Sequence, residues 1–283
     1  MTRSTVIEKL EKYLNGTELY GDDFSDKEIK EWYQDEIEGY GDLVYDCDEE
    51  YVYPYKELDK KYVFKYIKDK CDGLNVLGLG SAYAHEFYPI LDKIETLTIV
   101  EPEKRFYRDA IDGKEIDYIK PKYNGDLPFQ DGSFDVVTCL SVLHHIPNVT
   151  HVLKEAIRSL NNGGQLIIRE PIVSMREPIN DMNDWTKYKK GLTKRERGLP
   201  LTYLNAFIKD NDLKIINKKL FGMPTSRVIK MFSKKNSIYN SKIGLYIDSL
   251  TSKMFEWNYT YHTNSFIKKF RPSQIILILE KNY

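Results

Sequence analysis

A carboxylate at Glu101 and a second at Asp126 follow a turn built of small residues, and the three together have the makings of a nucleoside site. Residues 75–84 read NVLGLGSAYA: the apolar run Val76-Leu77-Gly78-Leu79 stops at Gly80 and passes through Ser81, Ala82 and Ala84 into His85-Glu86-Phe87. A buried strand, a tight turn and a helix start leave this trace. Gly80 can take φ > 0 at no steric cost, and the small side chains let backbone approach a ligand. A second apolar run, Leu97 to Val100, ends on Glu101. In a doubly wound α/β domain a carboxylate in that place accepts hydrogen bonds from ribose hydroxyls. Gly125-Asp126-Leu127-Pro128-Phe129 is a turn carrying an acid followed by apolar residues. Such a loop can offer its carboxylate to an adenine amino group while Leu127 covers the ring face. Small residues after a strand also serve packing alone; the joint spacing is what points to a nucleoside.

These residues need a mostly parallel sheet to hold them. Val76–Leu79 and Leu97–Val100 read as its first two strands, with a short third near Pro121–Asn124. Phe134-Asp-Val-Val-Thr-Cys-Leu140 is a buried parallel strand by its β-branched content. Ser141 to Pro147 then crosses the carboxyl edge of the sheet, where α/β ligands sit. The spacing of Val152, Leu153, Ala156, Ile157 and Leu160 predicts a helix from Val149 to Leu160, ended by Asn161-Asn162-Gly163-Gly164. Gln165–Arg169 is the fifth strand, stopped by Glu170-Pro171; Leu201–Lys209 is a helix, Leu213–Phe221 a strand, and Ser273–Glu280 the last strand. Further helices are expected over Tyr62–Lys70, over His85–Asp92 despite Pro89, and from Pro102-Glu103-Lys104-Arg105. Between Gly222 and Arg271 lies an amphipathic, mostly helical insertion.

Length and composition bound the rest. A chain of 283 residues with 41% hydrophobic residues has enough apolar surface for one large domain with additions. A net charge of -1 gives no general attraction to nucleic acid, so no nucleic-acid partner is expected. Cys47, Cys71 and Cys139 lie too far apart for metal-ligand spacing, and no metal is called for by the sequence. The start lacks the apolar core of a signal peptide, and no apolar run reaches the roughly 18 residues of a membrane span. A cytoplasmic location is the expectation.

Residues 1–70 form an N-terminal helical cap or lid, and residues 71–283 the main domain, with the insertion at about 222–271. In the cap, Val6, Leu10 and Leu14 share a helix face. An acidic stretch from Glu18 to Glu50 follows, interrupted by Phe24, Trp32, Tyr33, Tyr40 and Tyr45. One reading is a solvated cap whose aromatics pack on the main domain. The other is a lid in which Tyr40 or Glu38 reaches an acceptor.

Taken together, LGLGSAYA, IVEPE, GDLPF, FDVVTCLSVLHHIPN and LNNGGQLIIREP resemble the motifs of class I S-adenosylmethionine-dependent methyltransferases of the type 11 kind. The resemblance covers roughly Leu74–Arg169 and the final strands. It implies a doubly wound, seven-stranded, mostly parallel α/β sheet of Rossmann-like methyltransferase topology. It implies S-adenosyl-L-methionine as cofactor, S-adenosyl-L-homocysteine as product, and cofactor contacts at Gly78, Gly80, Ser81, Ala82, Glu101, Asp126, Leu127 and Leu140. The chain departs from the family at Gly78, where an acid is usual, and at Ala82 and Ala84, where glycines are usual. A nearby carboxylate such as Glu86, or one from the lid, is the replacement to look for. REPIVSM and NDWTKYKKGLTKRERGLP resemble a segment of methyltransferases that accompany bacterial capsule and surface-polysaccharide synthesis.

The implied chemistry is an in-line methyl transfer, which needs acceptor, methyl and sulfur held collinear. An alcohol acceptor also needs a base, and His145 and His144, just past the fourth strand, are the candidates. LHHIP is shared by relatives with different acceptors, so packing beside the cofactor is the competing role. Lys187 to Arg197 is basic: either a solvated face paired with the acidic stretch, or a clamp for an anionic acceptor through Arg195 and Arg197. Arg169 and Glu170 lie where they can line the same pocket. The expected function is O-methylation of a sugar or phosphate-linked sugar derivative, so the expected partner is a small-molecule or glycan acceptor. The alternatives are methylation of another small molecule at oxygen, nitrogen or carbon, and a non-catalytic cofactor-binding relative.

Overall fold

Apolar residues run through the central strands without alternating, because both faces of the sheet are covered. Adjacent residues then serve different cores. Leu77, Val137, Leu166 and Ile168 enter one cluster, with Leu153 and Ala156 of a covering helix. Val76, Val136 and Ile167 enter the other, with Phe64, Phe87 and Ile90. The structure is a computed structural model that describes residues 11–40, 52–67, 73–174, 196–224 and 237–282; the side chain of Tyr40 is outside the description.

The sheet has seven strands. They are β1 (Leu74–Leu79), β2 (Ile94–Val100), β3 (Asp117–Ile119), β4 (Phe134–Leu140), β5 (Leu160–Pro171), β6 (Leu213–Phe221) and β7 (Gln274–Lys281). Their spatial order is β3-β2-β1-β4-β5-β7-β6. β1 pairs in parallel with β2 and β4, and β4 with β5, while β7 runs antiparallel to both β5 and β6. The strand order reverses between β1 and β4, and the crevice at their carboxyl ends is where such a sheet binds ligands.

Helices α1 (Asp26–Tyr40) and α2 (Lys56–Tyr62) precede the sheet; α3 (Val149–Ser159), α4 (Leu201–Asp210) and α5 (Lys242–Met254) follow β4, β5 and β6. Among the described residues no helix is long and apolar enough to cross a membrane.

Several expected elements are corrected. The third strand lies at Asp117–Ile119, paired with β2, and not at Pro121–Asn124. The helix expected from Pro102 is one 3-10 turn, Lys104–Phe106, started by the Glu103 side chain accepting from the Arg105 N–H. His85–Lys93 is helical in 3-10 form; Pro89 supplies no N–H inside it. The helix before β1 ends at Tyr62, and a 3-10 turn, Phe64–Tyr66, replaces its continuation; residues 68–70 lie outside the described residues. β5 begins at Leu160, directly after α3, and carries Asn161–Gly164 within it.

Candidate active site

The turn after β1 is held by its neighbours before any ligand is considered. Gly80 has φ 62°, and a Cβ there would run into the Val142 side chain. Ala82 and Ala84 also have positive φ, 43° and 62°, a costly conformation for a residue with a Cβ. Three contacts secure that backbone. The Gly80 N–H donates to the Val100 carbonyl (2.9 Å), the Ala82 N–H to Glu101 Oε2 (3.1 Å), and the Tyr118 hydroxyl to the Ala82 carbonyl (2.6 Å). Ser141, past β4, is a third non-glycine residue with positive φ, 65°, at the same sheet edge.

Two cavities meet at Gly80. The larger, about 880 Å³, is bounded by Glu101, Asp126, Leu127, Val142 and His145, and on its other side by Tyr33, Glu36 and Ile37 of α1. The smaller, about 570 Å³, is bounded by Ser81, Ala82, Glu86, Leu140, Ser141 and Arg169, with Tyr53 and Tyr55 closing it.

Glu101 is fully buried at the end of β2. Burial pushes its carboxyl up to about 7, against the N–H groups of Glu103 and Ala82, which favour the carboxylate. Asp126 sits at the cavity mouth. It accepts from Asn124 Nδ2 (2.9 Å) and pairs with His151 Nε2 (2.9 Å), and the Asn124 bond, then His151, holds it below the usual carboxylate range. Arg158 of α3 donates to the carbonyls of Leu127 and Phe129 and so fixes the loop that presents Leu127.

The smaller cavity has both signs of charge. Arg169, at the end of β5, is buried against Asp59 of α2 at 2.6 Å, with its guanidinium 4.0 Å from the Tyr55 ring. Its Nε is buried and has no hydrogen-bond partner. Glu86 is buried on the other wall, pushed up to about 7 by burial and bonded to Ser81. An acid, a guanidinium and an orphaned donor beside one cavity fit the zwitterionic end of an amino acid. The glycine-rich turn and Glu101 beside the adjoining cavity fit a nucleoside.

Past β4 the two histidines part company. His144 is buried, with Nδ1 2.7 Å from Glu170 Oε2. Glu170 Oε1 accepts the N–H groups of Val142 and Leu143, so Glu170 organises this loop. His145 bounds the larger cavity, and its Nδ1 is 2.9 Å from Glu36 Oε2 and 3.6 Å from Glu196 Oε1. Burial disfavours its charged form, but the Glu36 hydrogen bond and the charges of Glu36, Glu196 and Glu170 outweigh burial and raise its pKa above the ordinary value. Glu36 Oε1 also accepts from Trp32 Nε1 (3.1 Å), which fixes the carboxylate. His144, His145 and Glu196 each bring a ligand atom within 4.8 Å of the others, a donor set suited to a first-row divalent ion. Sequence spacing gave no sign of it, because Glu196 is remote in the chain.

Other expectations are revised. Gly78 lines neither cavity; a Cβ there would collide with Ser81, which also explains why no acid stands at this position. Glu170 and His144 serve the loop rather than the cavities. Arg197 is enclosed: it donates to the carbonyls of Tyr20, Leu143, His144 and Pro147 and lies 5.0 Å from the Trp32 ring, so its charge is spent inside the fold and not on an anionic acceptor. Arg195 and the other basic residues of 187–195 lie outside the described residues. Glu38 points away, bonded to Gln34; Glu36, two positions earlier, shares the inward side of α1 with Trp32, Tyr33 and Ile37. That spacing was the available signal, and it was masked by the many acids around it.

The comparisons agree with this geometry. The model of a family described as a methyltransferase domain matches residues 77–168. Over 43 residues the chain is 49% identical to a 27-O-demethylrifamycin SV methyltransferase of Amycolatopsis mediterranei, covering 15% of this chain and 16% of that one. Over 56 residues it is 36% identical to a ubiquinone biosynthesis O-methyltransferase of Dechloromonas aromatica, covering 20% and 24%. Each match thus spans less than a quarter of the relative's length. An S-adenosylmethionine-dependent methyltransferase from Mesorhizobium loti has the same fold, with TM-score 0.50 and 16% identity over 77% of this chain and 95% of that one. Residues 77–168 thus match a methyltransferase domain, S-adenosylmethionine is the cofactor such a domain takes, and the sheet around them has the fold of a solved S-adenosylmethionine-dependent methyltransferase.

Proposed function

We propose that this protein methylates a hydroxyl group of a small-molecule acceptor, with His145 as the base. The observation that carries the reading is the Glu36–His145 pair in the wall of the larger cavity. When bound, S-adenosylmethionine supplies an electrophilic methyl group on a sulfonium. Glu101 accepts the ribose hydroxyls, and Asp126 and Leu127 take the adenine edge and face. Glu86 and Arg169 hold the ammonium and carboxylate of the methionine end, so Glu86 does the work of the acid missing at Gly78. His145 keeps its proton on Nδ1, where N–H donates a hydrogen bond to Glu36, so that Nε2 takes the acceptor's proton as the carbon–oxygen bond forms and the methyl–sulfur bond breaks. Positioned bases of this kind contribute about 10²–10⁴ in rate.

Two of the matched relatives carry the names of small molecules, 27-O-demethylrifamycin SV and ubiquinone, and the second is named for O-methylation, which supports the class of acceptor. The narrower reading, a sugar or phosphate-linked sugar of surface-polysaccharide synthesis, rests on the REPIVSM segment and the basic residues that follow it. It loses Arg197 as an anion contact.

The test is methyl release from labelled S-adenosylmethionine with a panel of sugars, nucleotide-sugars, quinols and amines, with and without a chelator. Turnover on hydroxyl acceptors that survives chelation and is lost in His145→Ala supports the proposal. Loss on chelation, restored by a divalent ion, would give the histidines to a metal. Cofactor binding with no turnover on any acceptor would make the chain a non-catalytic relative.

A further inference from the structure

Helix α5 buries Leu245, Asp248 and Ser252, and Asp248 accepts the N–H groups of Gly222 and Met223 at the end of β6. Its other face is apolar and open to water. Ile243, Tyr246, Ile247, Leu250 and Met254 fall at i, i+3, i+4, i+7 and i+11, the spacing of one helical stripe, and are 39–74% exposed. The stripe does not stop with the helix. Asn258 Nδ2 donates to the carbonyls of Ile267 and Phe270, which sets the turn at Glu256–Asn258 against the turn at Ile267–Lys269. Trp257 (77% exposed), Phe266 (89%) and Ile267 (74%) extend the surface across that junction. Phe255 and Phe270 pack edge to face at 4.7 Å.

Single exposed apolar residues are ordinary, but a contiguous face of this kind marks an interaction site. Its charges identify the partner. The exposed charged residues between 241 and 270 are Lys242, Lys253, Lys268 and Lys269 against Glu256, in a chain whose net charge is -1. Tryptophan and tyrosine beside aliphatic residues, edged by lysines, suit the boundary between headgroups and acyl chains.

We propose that α5 and the Trp257 and Phe266 turns dock this protein on an anionic phospholipid surface. The helix lies in the plane of the interface; no described helix is long and apolar enough to pass through it. The segment just before α5 touches the tyrosines that line the smaller cavity: Tyr239 stacks on Tyr55 (5.4 Å) and Asn240 Nδ2 donates to the Tyr53 carbonyl (2.8 Å). Lipid contact is thereby placed one segment away from the tyrosines that close that cavity. The docking proposal does not depend on the methyl-transfer reading.

The experiment is flotation of the full chain with vesicles of phosphatidylcholine alone and of phosphatidylcholine with phosphatidylglycerol. The protein is expected to float with the anionic vesicles at low salt, to be released as salt is raised, and to stay behind with neutral vesicles. Lys268→Glu with Lys269→Glu should weaken binding by at least about tenfold. Trp257→Ser with Phe266→Ser should do the same, with Tm and circular dichroism unchanged, and Trp257→Phe should keep the binding. Two results overturn the proposal. One is no flotation with anionic vesicles at low salt. The other is a dimer in sedimentation that Trp257→Ser with Phe266→Ser dissolves, which would give the face to a second copy of the chain.

Discussion

Glu36 Oε2 lies 2.9 Å from His145 Nδ1, although the two residues are 109 positions apart. The contact joins α1 to the loop after β4 and gives the imidazole a fixed tautomer at the cavity wall. With the pKa of His145 raised, the neutral ring that can accept a proton is lost as pH falls through a value above 6.5. The acid limb of kcat/KM, which reports the free enzyme, is therefore expected above that value. Glu36→Gln removes the first of the charges that favour imidazolium, leaving burial opposed only by Glu196 and Glu170, so the limb should move to lower pH. His145→Ala should cut turnover by about 10²–10⁴ while leaving cofactor affinity near that of the parent. A pH–rate profile and calorimetry of the three proteins check this; an unmoved limb in Glu36→Gln would remove the pair from catalysis.

Glu101→Gln should weaken S-adenosylmethionine binding by roughly 10–100-fold, the worth of a charge-assisted hydrogen bond in a buried site. Titration calorimetry at pH 8 is the measurement, because at that pH the carboxyl, pushed up to about 7, is ionised. Equal affinities would take the ribose away from this residue.

Glu86 should make the ligand-free protein less stable as pH rises. Its carboxyl is held at about 7 in the folded chain against an ordinary 4.5, so between these values the folded form keeps a proton that the unfolded form has lost. Stability falls through that window and levels off above about pH 7, by up to about 3 kcal/mol for such a shift. Glu86→Gln cannot ionise. Its Tm advantage over the parent should widen from pH 5 to pH 8, while its affinity for S-adenosylmethionine drops. A Tm gap that stays constant with pH would mean that the folded carboxyl titrates normally.

Arg197→Met should destabilise the fold by at least about 3 kcal/mol, since it leaves several buried carbonyls without donors. Arg197→Lys should recover only part of this, because an ammonium cannot reproduce the planar fork. Urea unfolding gives both values. A loss below about 1 kcal/mol for the methionine variant would show that water satisfies those carbonyls.

β1, β4 and β7, buried on both faces, fall within a residue or two of their expected places, because their apolar runs are bounded by turn residues. β6, an edge strand with exposed lysines, was legible from the apolar residues at its two ends. β3 was misplaced because it is a three-residue edge strand, exposed or half-buried along its length, with no apolar run to mark it. The placement of Glu101, Asp126 and Leu127 beside one cavity was legible because a strand or turn carries each at a fixed offset. The contacts that α1 and α2 make with the sheet's carboxyl edge were not. Glu36 meets His145 across 109 positions and Asp59 meets Arg169 across 110, and pairing over such distances is decided by packing, which local pattern does not encode. Arg197 misled for the opposite reason: its neighbours in the chain suggested an exposed basic run, while its own guanidinium caps carbonyls of the β4–α3 loop.

Arg197 draws Tyr20 and Trp32 onto the loop that carries both histidines. The segment ahead of the sheet is consequently no detachable accessory. Trimming the protein to start at β1 would strip the Tyr20 carbonyl and the Trp32 ring from a guanidinium that cannot shed its charge and bare one wall of the larger cavity. Anyone seeking a shorter version for crystals or for grafting onto another enzyme should expect aggregates unless position 197 is redesigned in the same step.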